Sequence, residues 1–473
     1  MLAVIIVLAT LLFGAVEVWS AAAVMLLVFA TGLFWSIKNA NLKGDLPENT
    51  GKLFLVALIF CGYIGFQLIP LPAAVVSFIS PATARARDFY SISGMKFMPL
   101  SFDPYLTINE LLRAAAFFMV FFISSIMFRD REKLTKMIII LIVFGFCLAV
   151  FAIMQKATWN NKIYWIRELT AGGTPFGPFV NRNHFAGFIG MLVPLGLGYT
   201  LTREYREKLI FFGFLTVIMT LSLFFSLSRG GIVSFFASMS LFSILVVITR
   251  VQTKKMWAVA AFLIIVAAYL VYLGIDPVID RFSETSISKE QRIIVWQSTL
   301  TAFRDFWLTG SGLGTFIDMF HLYSPASAQS SIYDHAHNDY LEYMLETGTI
   351  GLTLLFTFAG LLLYPLAKAD FRGKRGMIRI AVLSSVFSIL MHSIFDFNLH
   401  ILSNMLLLAV VLGMLSSLTI TSEEKYHKRK AKGKGPKGDR PENDSREPTA
   451  GSREQHALIN NETEDWEKDV KNQ

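Results

Sequence analysis

Apolar residues along this chain fall in long unbroken blocks, and most of those blocks are apolar all round rather than on one helical face. The blocks lie at about 1–16, 20–37, 53–70, 107–127, 137–155, 184–202, 209–227, 231–249, 256–274, 348–366, 378–398 and 401–420. Most run to roughly 17–22 residues, enough to cross about 30 Å of hydrocarbon at about 1.5 Å per residue. The pattern predicts an all-α integral membrane protein, a polytopic bundle of about 12 transmembrane helices. Only Glu17-Val18-Trp19-Ser20 separates the first two blocks. The opening MLAVIIVLATLLFG has neither a basic leader nor a small-x-small cleavage site, so it reads as a retained span.

The connections alternate in kind. One set is short and cationic: Lys38/Lys43/Lys52, Arg129/Arg131/Lys133/Lys136, Arg203/Arg206/Lys208, Arg250/Lys254/Lys255 and Lys368/Arg372/Lys374/Arg375. The other set, 71–106, 156–183 and 275–347, is longer and dilute in cations. The positive-inside rule makes the first set cytoplasmic, puts both termini inside and leaves 275–347 as a large loop on the opposite face. Two regions follow: a membrane domain over 1–420, and a polar Gly/Pro-containing tail over 421–473 expected to be disordered and cytoplasmic. The basic start of that tail, Lys425 to Lys434, reads first as a plain solubilising tail, and it also suits anionic lipid headgroups.

Composition agrees. The 473 residues are 54% hydrophobic, with 42 Phe, and only 16% charged; a soluble chain carries about a quarter charged residues. The mean hydropathy is +0.52. A net charge of +8 would suit nucleic acid, but the cations sit in short loops and the tail, so no nucleic-acid partner is expected. Cys61 and Cys147 lie inside apolar blocks and read as small buried residues, with no disulfide or metal role.

The non-cytoplasmic segments hold the candidate chemistry. In GGTPFGPFVNRNHFAGF (172–188), Gly and Pro force a turn before the sixth block and leave Arg182, Asn183 and His184 at its mouth. Arg182 either snorkels from a capping turn or contacts an anion. Arg229, in Ser228-Arg229-Gly230-Gly231, sits between two apolar blocks with almost no loop to escape into. A cation at bilayer depth costs about 2.5–3.5 kcal/mol, so it needs a wet cavity and an anion. In 275–347, Arg292, Trp296, Leu300 and Phe303 suit an amphipathic surface helix, Arg281 and Arg304-Asp305 flank it, and Gly310-Ser311-Gly312-Leu313-Gly314 reads as a turn. Then comes Asp334-His335-Ala336-His337-Asn338-Asp339. Asn338 or Asp339 would cap a helix that breaks at Gly348, placing His337 at its positive end as a neutral base. His335 and His337 as a metal pair, or as solvated loop histidines, are the competing readings. His392, Asp396 and His400 follow at i, i+4, i+8, expected on one helix face.

At these residues the chain resembles the O-antigen ligase / polysaccharide polymerase superfamily of bacterial inner-membrane glycosyltransferases, over roughly residues 50–420. His337-Asn338, nine residues, then Gly348-Thr349-Ile350-Gly351 fits that family's His-Asn/Ser/Gln-x9-Gly-x-x-Gly pattern. PLSFDPYLT (99–107), FVNRNHFAG (179–187), SRGG (228–231), RIIVW (292–296) and GSGLGTF (310–316) match in order and placement. The resemblance implies inverting, metal-independent transfer, without a cofactor, at the periplasmic face of the bacterial inner membrane. The implied donor is a glycan on undecaprenyl pyrophosphate, and the acceptor is lipid A-core, a glycan or a protein. It also implies that His337 deprotonates the acceptor and that Arg229 and Arg292, with Arg182 a weaker candidate, bind pyrophosphate; Asn338, His335, Asn183, His184 and His392 would support them. Repeat-unit polymerases share these features, so the resemblance leaves the acceptor open. A non-catalytic transporter of the lipid-linked glycan is the rival class, though no internal repeat is visible in the sequence. A membrane scaffold acting through the basic tail is the third.

Overall fold

The structure is a computed structural model that describes residues 1–39, 48–89, 94–169, 173–251, 256–273, 287–325 and 333–419. Lys43, Lys254, Lys255, Arg281, Gly172 and the tail from 421 onward lie outside the described residues.

Helices dominate. In chain order they are α1 (Leu2–Leu11), α2 (Val18–Lys38), α3 (Glu48–Gln67), α4 (Ala73–Ile79), α5 (Pro81–Phe89), α6 (Pro104–Met127), α7 (Arg131–Ala157) and α8 (Arg182–Leu201). There follow α9 (Arg206–Phe225), α10 (Arg229–Thr249), α11 (Met256–Leu273), α12 (Ile287–Phe306), α13 (Phe316–Tyr323), α14 (Asp339–Leu363), α15 (Gly373–His392) and α16 (Leu402–Thr419). Sheet among the described residues is confined to two short antiparallel pairs. β1 (Leu71–Pro72) pairs with β2 (Phe97–Met98), and β3 (Lys162–Ile163) with β4 (Arg167–Glu168).

Nine described helices are long and apolar enough to cross a membrane. Three shorter apolar helices, Leu2–Leu11, Trp257–Ala268 within α11, and Leu402–Leu418, fall on the remaining expected blocks. Block 1–16 is not one span-length helix. At about 1.5 Å per residue, α1 rises only about 15 Å, and left-handed backbone at Phe13, Gly14 and Ala15 turns the chain after it. Cys147 is exposed, against the expectation that both cysteines are buried; Cys61 is half-buried, and both are free.

Helix boundaries follow side-chain capping. Asp103 accepts from the amides of Tyr105 and Leu106 ahead of α6, and Asp130 accepts from Glu132 and Lys133 ahead of α7. Ser228 accepts from Gly231 N ahead of α10.

The centre of the bundle is α8, buried from His184 to Leu201. Small residues let α15 lie directly against it. A methyl at Gly198 would stand 2.3 Å from Ala381 Cβ, and one at Gly190 would stand 3.0 Å from Ser388 Oγ. Backbone approach through small residues is how membrane helices gain packing when lipid is as apolar as their side chains.

The expected surface face of α12 is replaced by a different stripe. Its buried positions are Val295, Ser298, Thr299, Ala302 and Phe306, while Leu300 is exposed. That stripe packs with Phe316, Met319, Phe320, Ala336 and Leu345, so the helix is a lid on the start of α14 rather than a free amphipathic helix.

Candidate functional site

The site forms where the start of α14 meets the connection between α15 and α16. Asn338 caps α14, its Oδ1 accepting from the amides of Tyr340 (3.0 Å) and Leu341 (3.2 Å). Ten residues later Gly348 leaves helical geometry, with φ +62° and ψ −170°. This break lets the Thr349 amide donate to Trp307 O at 2.8 Å and seats the loop 308–312 against the helix. That loop is the expected glycine turn: Gly310, Gly312 and Gly314 all have positive φ, and Gly312 N donates to Glu346 O at 3.0 Å. Cap and kink therefore bracket one short helical segment. Asp339, Glu342 and Glu346 lie on one of its faces at i, i+3, i+7, and all three are buried.

His337 precedes the cap with φ +50°, a conformation that non-glycine residues rarely hold. Its Nδ1 stands 3.0 Å from Asp396 Oδ1. Asp396 is buried, and its Oδ1 also accepts from the Phe397 amide at 2.9 Å. Burial alone would raise the Asp396 carboxyl, but the His337 hydrogen bond and the surrounding histidines hold it well below the usual carboxylate range.

His392, Asp396 and His400 do not share a helix face. α15 ends at His392, and a non-helical turn carries Asp396 to a short 3-10 turn at Asn398–His400. His392 and Asp396 stay near one another through this folded connection, while His400 is turned to Asp339 and Glu342. His392 is buried under Gly230, where a methyl would stand 2.9 Å from both His392 Cδ2 and Nε2. That contact brings SRGG, with Arg229 as the first residue of α10, to the same connection. Arg292 reaches it too, its Nη1 donating to Phe395 O at 3.2 Å, while Trp296 Nε1 donates to Ala336 O at 3.0 Å.

From the third side come 182–184. A hairpin-like turn, with Phe176 and Phe179 bridged and Gly177 at φ +58°, leads into α8. Asn181 is the cap, accepting from Asn183 N at 2.9 Å, and Arg182 is the first helical residue. His184 lies buried with its ring edge-on to Phe397, centroids 4.9 Å apart, and its carbonyl accepts from Asn404. Phe397 also stacks on His335 at 4.1 Å and meets His337 at 5.0 Å.

His335 pairs not with His337 but with Glu342, Nδ1 to Oε1 at 2.6 Å. His335, Glu342 and His400 offer ligand atoms within 4.8 Å of one another, the described group that comes closest to a metal-binding set. Asp396, Glu342 and His400 are the site residues that sequence reasoning placed least well. Their signal was present as acids and histidines beside apolar blocks, yet spacing could not say which histidine each acid would meet.

No curated protein matches the chain. Residues 214–356 do match the model of the O-antigen ligase family. That stretch holds Arg229, Arg292, His335, His337 and Glu342, while Asp396 and His400 lie beyond its end. Over the segment that carries the His-Asn motif, the chain is therefore similar to the O-antigen ligase family, the one its motifs resemble.

Proposed function

We propose that the protein transfers a glycan from undecaprenyl pyrophosphate to an acceptor hydroxyl at the periplasmic face of the bacterial inner membrane, with inversion at the anomeric carbon. The family match supports a membrane glycosyl-transfer activity of ligase type. The observation that carries the finer reading is the His337–Asp396 contact at 3.0 Å. A carboxylate on Nδ1 fixes the tautomer that presents Nε2 as a proton acceptor, and it stabilises the imidazolium that forms.

In this mechanism Nε2 of His337 takes the acceptor's O–H proton while that oxygen bonds to the anomeric carbon. The bond from that carbon to the pyrophosphate oxygen breaks, and its electron pair leaves with the pyrophosphate. Arg229 and Arg292, with Arg182 as a weaker third, would hold the charge that develops there. Guanidinium groups suit that task because they bind phosphate oxygens bidentately. A pyrophosphate is already a good leaving group, so the scheme needs no acid, no second catalytic carboxylate and no metal. The acceptor is lipid A-core, a growing glycan or a protein, ligase and polymerase differing only there.

The deciding experiment offers lipid A-core, glycan repeat and peptide acceptors to purified protein in liposomes with a lipid-pyrophosphate donor. Transfer to one acceptor class, abolished by His337→Ala in protein that still inserts, supports the reading. Movement of the lipid-linked glycan across the vesicle without turnover rejects it in favour of transport.

A further inference from the structure

Behind His337, four buried or half-buried groups form a continuous chain that the proposed chemistry does not use. Asp339 Oδ1 faces His400 Nδ1 at 2.9 Å, and Asp339 Oδ2 accepts from Leu399 N at 3.1 Å. His400 Nε2 stands 3.4 Å from Glu342 Oε1, a charge contact. Glu342 Oε1 is 2.6 Å from His335 Nδ1, and its Oε2 accepts from Ala336 N at 2.9 Å. Both oxygens of one buried carboxylate are thus committed to the two residues that precede His337. The next peptide, the one that leads into His337, is held by Trp296 Nε1 donating to Ala336 O. A residue held at φ +50° keeps that conformation only when its surroundings over-determine it.

We propose that Glu342 is a positioning residue for His337, acting through His335 and the Ala336 amide, with Asp339 and His400 anchoring its carboxylate to the segment that carries Asp396. The inference rests on the proposed role of His337. It joins the two halves of the His337–Asp396 pair: the chain runs from residues 335–336 through Glu342 to 399–400, so the start of α14 and the α15–α16 connection move as one body. Burial alone would lower the His400 imidazole, but Glu342 and Asp339 hold it up at about 10, as a cation bridging two acids requires.

A metal bound by His335, Glu342 and His400 is the competing account of the same residues. Two ligands of one tetrahedral ion at about 2.0–2.1 Å would stand roughly 3.3 Å apart. The 2.6 Å between His335 and Glu342 is instead the distance of a shared proton.

The test uses full-length protein in liposomes with the lipid-pyrophosphate donor, and it compares wild type, His337→Ala, Glu342→Gln, His335→Ala and His335→Asn. Displacing a base by about 1 Å costs about 10²-fold. Glu342→Gln and His335→Ala should therefore lower kcat by about that factor with donor KM unchanged. His335→Asn, whose amide nitrogen can replace Nδ1 as donor but cannot act as a base, should recover most of the loss. Diethylpyrocarbonate labelling of His337, read by mass spectrometry, should change rate in Glu342→Gln and return in His335→Asn. This arm decides the inference even if wild type transfers no glycan, an outcome that would remove the proposed function alone. An unchanged labelling rate in both Glu342→Gln and His335→Ala, or failure of Asn to rescue, overturns the positioning role. So does stoichiometric zinc that survives dialysis of wild type and is lost in His335→Ala.

Discussion

His337 and Asp396 stand 59 positions apart in sequence, yet their side chains meet with Nδ1 and Oδ1 at 3.0 Å. One is delivered by the residues ahead of α14, the other by the turn after α15, and Phe397 packs on His337 beside the contact. Asp396→Asn is expected to leave the ring in place while removing the carboxylate that fixes its tautomer. Transfer should fall by about 10²–10⁴-fold, the range for loss of general-base catalysis. Because Asp396 is held well below the usual carboxylate range, it stays ionised at all pH values above about its ordinary 3.8. An acid limb of the rate profile near neutrality must then belong to another group. An Asn variant with the wild-type rate removes Asp396 from the mechanism.

His400 makes stability depend on alkaline pH. Its folded value, about 10, lies above the ordinary 6.5, so the folded state holds the proton more tightly than the unfolded chain. The stabilisation is complete below about pH 6.5 and drains away as pH rises toward 10. Thermal melts in detergent should fall over that window, and His400→Gln should flatten the decline. Parallel curves for the two proteins would rule this out.

Glycines 348 and 230 should separate folding from activity. A methyl at Gly348 meets Leu308 O at 2.4 Å, and its φ of +62° penalises any side chain. Gly348→Ala should cost at least about 1–3 kcal/mol from the backbone strain alone, seen as a lower melting temperature. At Gly230 the methyl meets the side chain of His392, so Gly230→Ala should cost about 1–3 kcal/mol through overpacking and displace the SRGG segment. Its transfer rate should drop more than its melting temperature implies. Equal behaviour of the two variants in both assays contradicts this division.

Arg292→Ala is expected to reduce transfer by about 10²–10³-fold, the usual effect of deleting one charge-stabilising donor. Arg292→Lys should recover little. An ammonium lacks the planar fork that can hold Phe395 O and a phosphate oxygen together. Full activity of the lysine variant would reduce the role of Arg292 to charge alone.

The membrane class, the helical blocks and the motif ends were legible in the chain itself, because they rest on local physics. Block length against bilayer thickness predicts a span, Asn338 predicts a cap and Gly348 predicts a break, each from its own few residues. The first block shows where this stops. Its hydropathy resembles a span, but left-handed backbone at Phe13–Ala15 ends the helix after ten residues.

Which acid meets which histidine was decided only by the tertiary structure. His335, His337 and His400 are chemically alike, and spacing suggested a His392–Asp396–His400 helix face and no acid partner for His335 or His337. Termination of α15 at His392 and the turn that follows instead give Asp396 to His337, and Glu342 to His335 and His400. Pairings of this kind depend on where non-helical backbone re-enters the bundle. That path is set by packing against α8, α10 and α12, and hydropathy, averaged over many residues, carries no record of it.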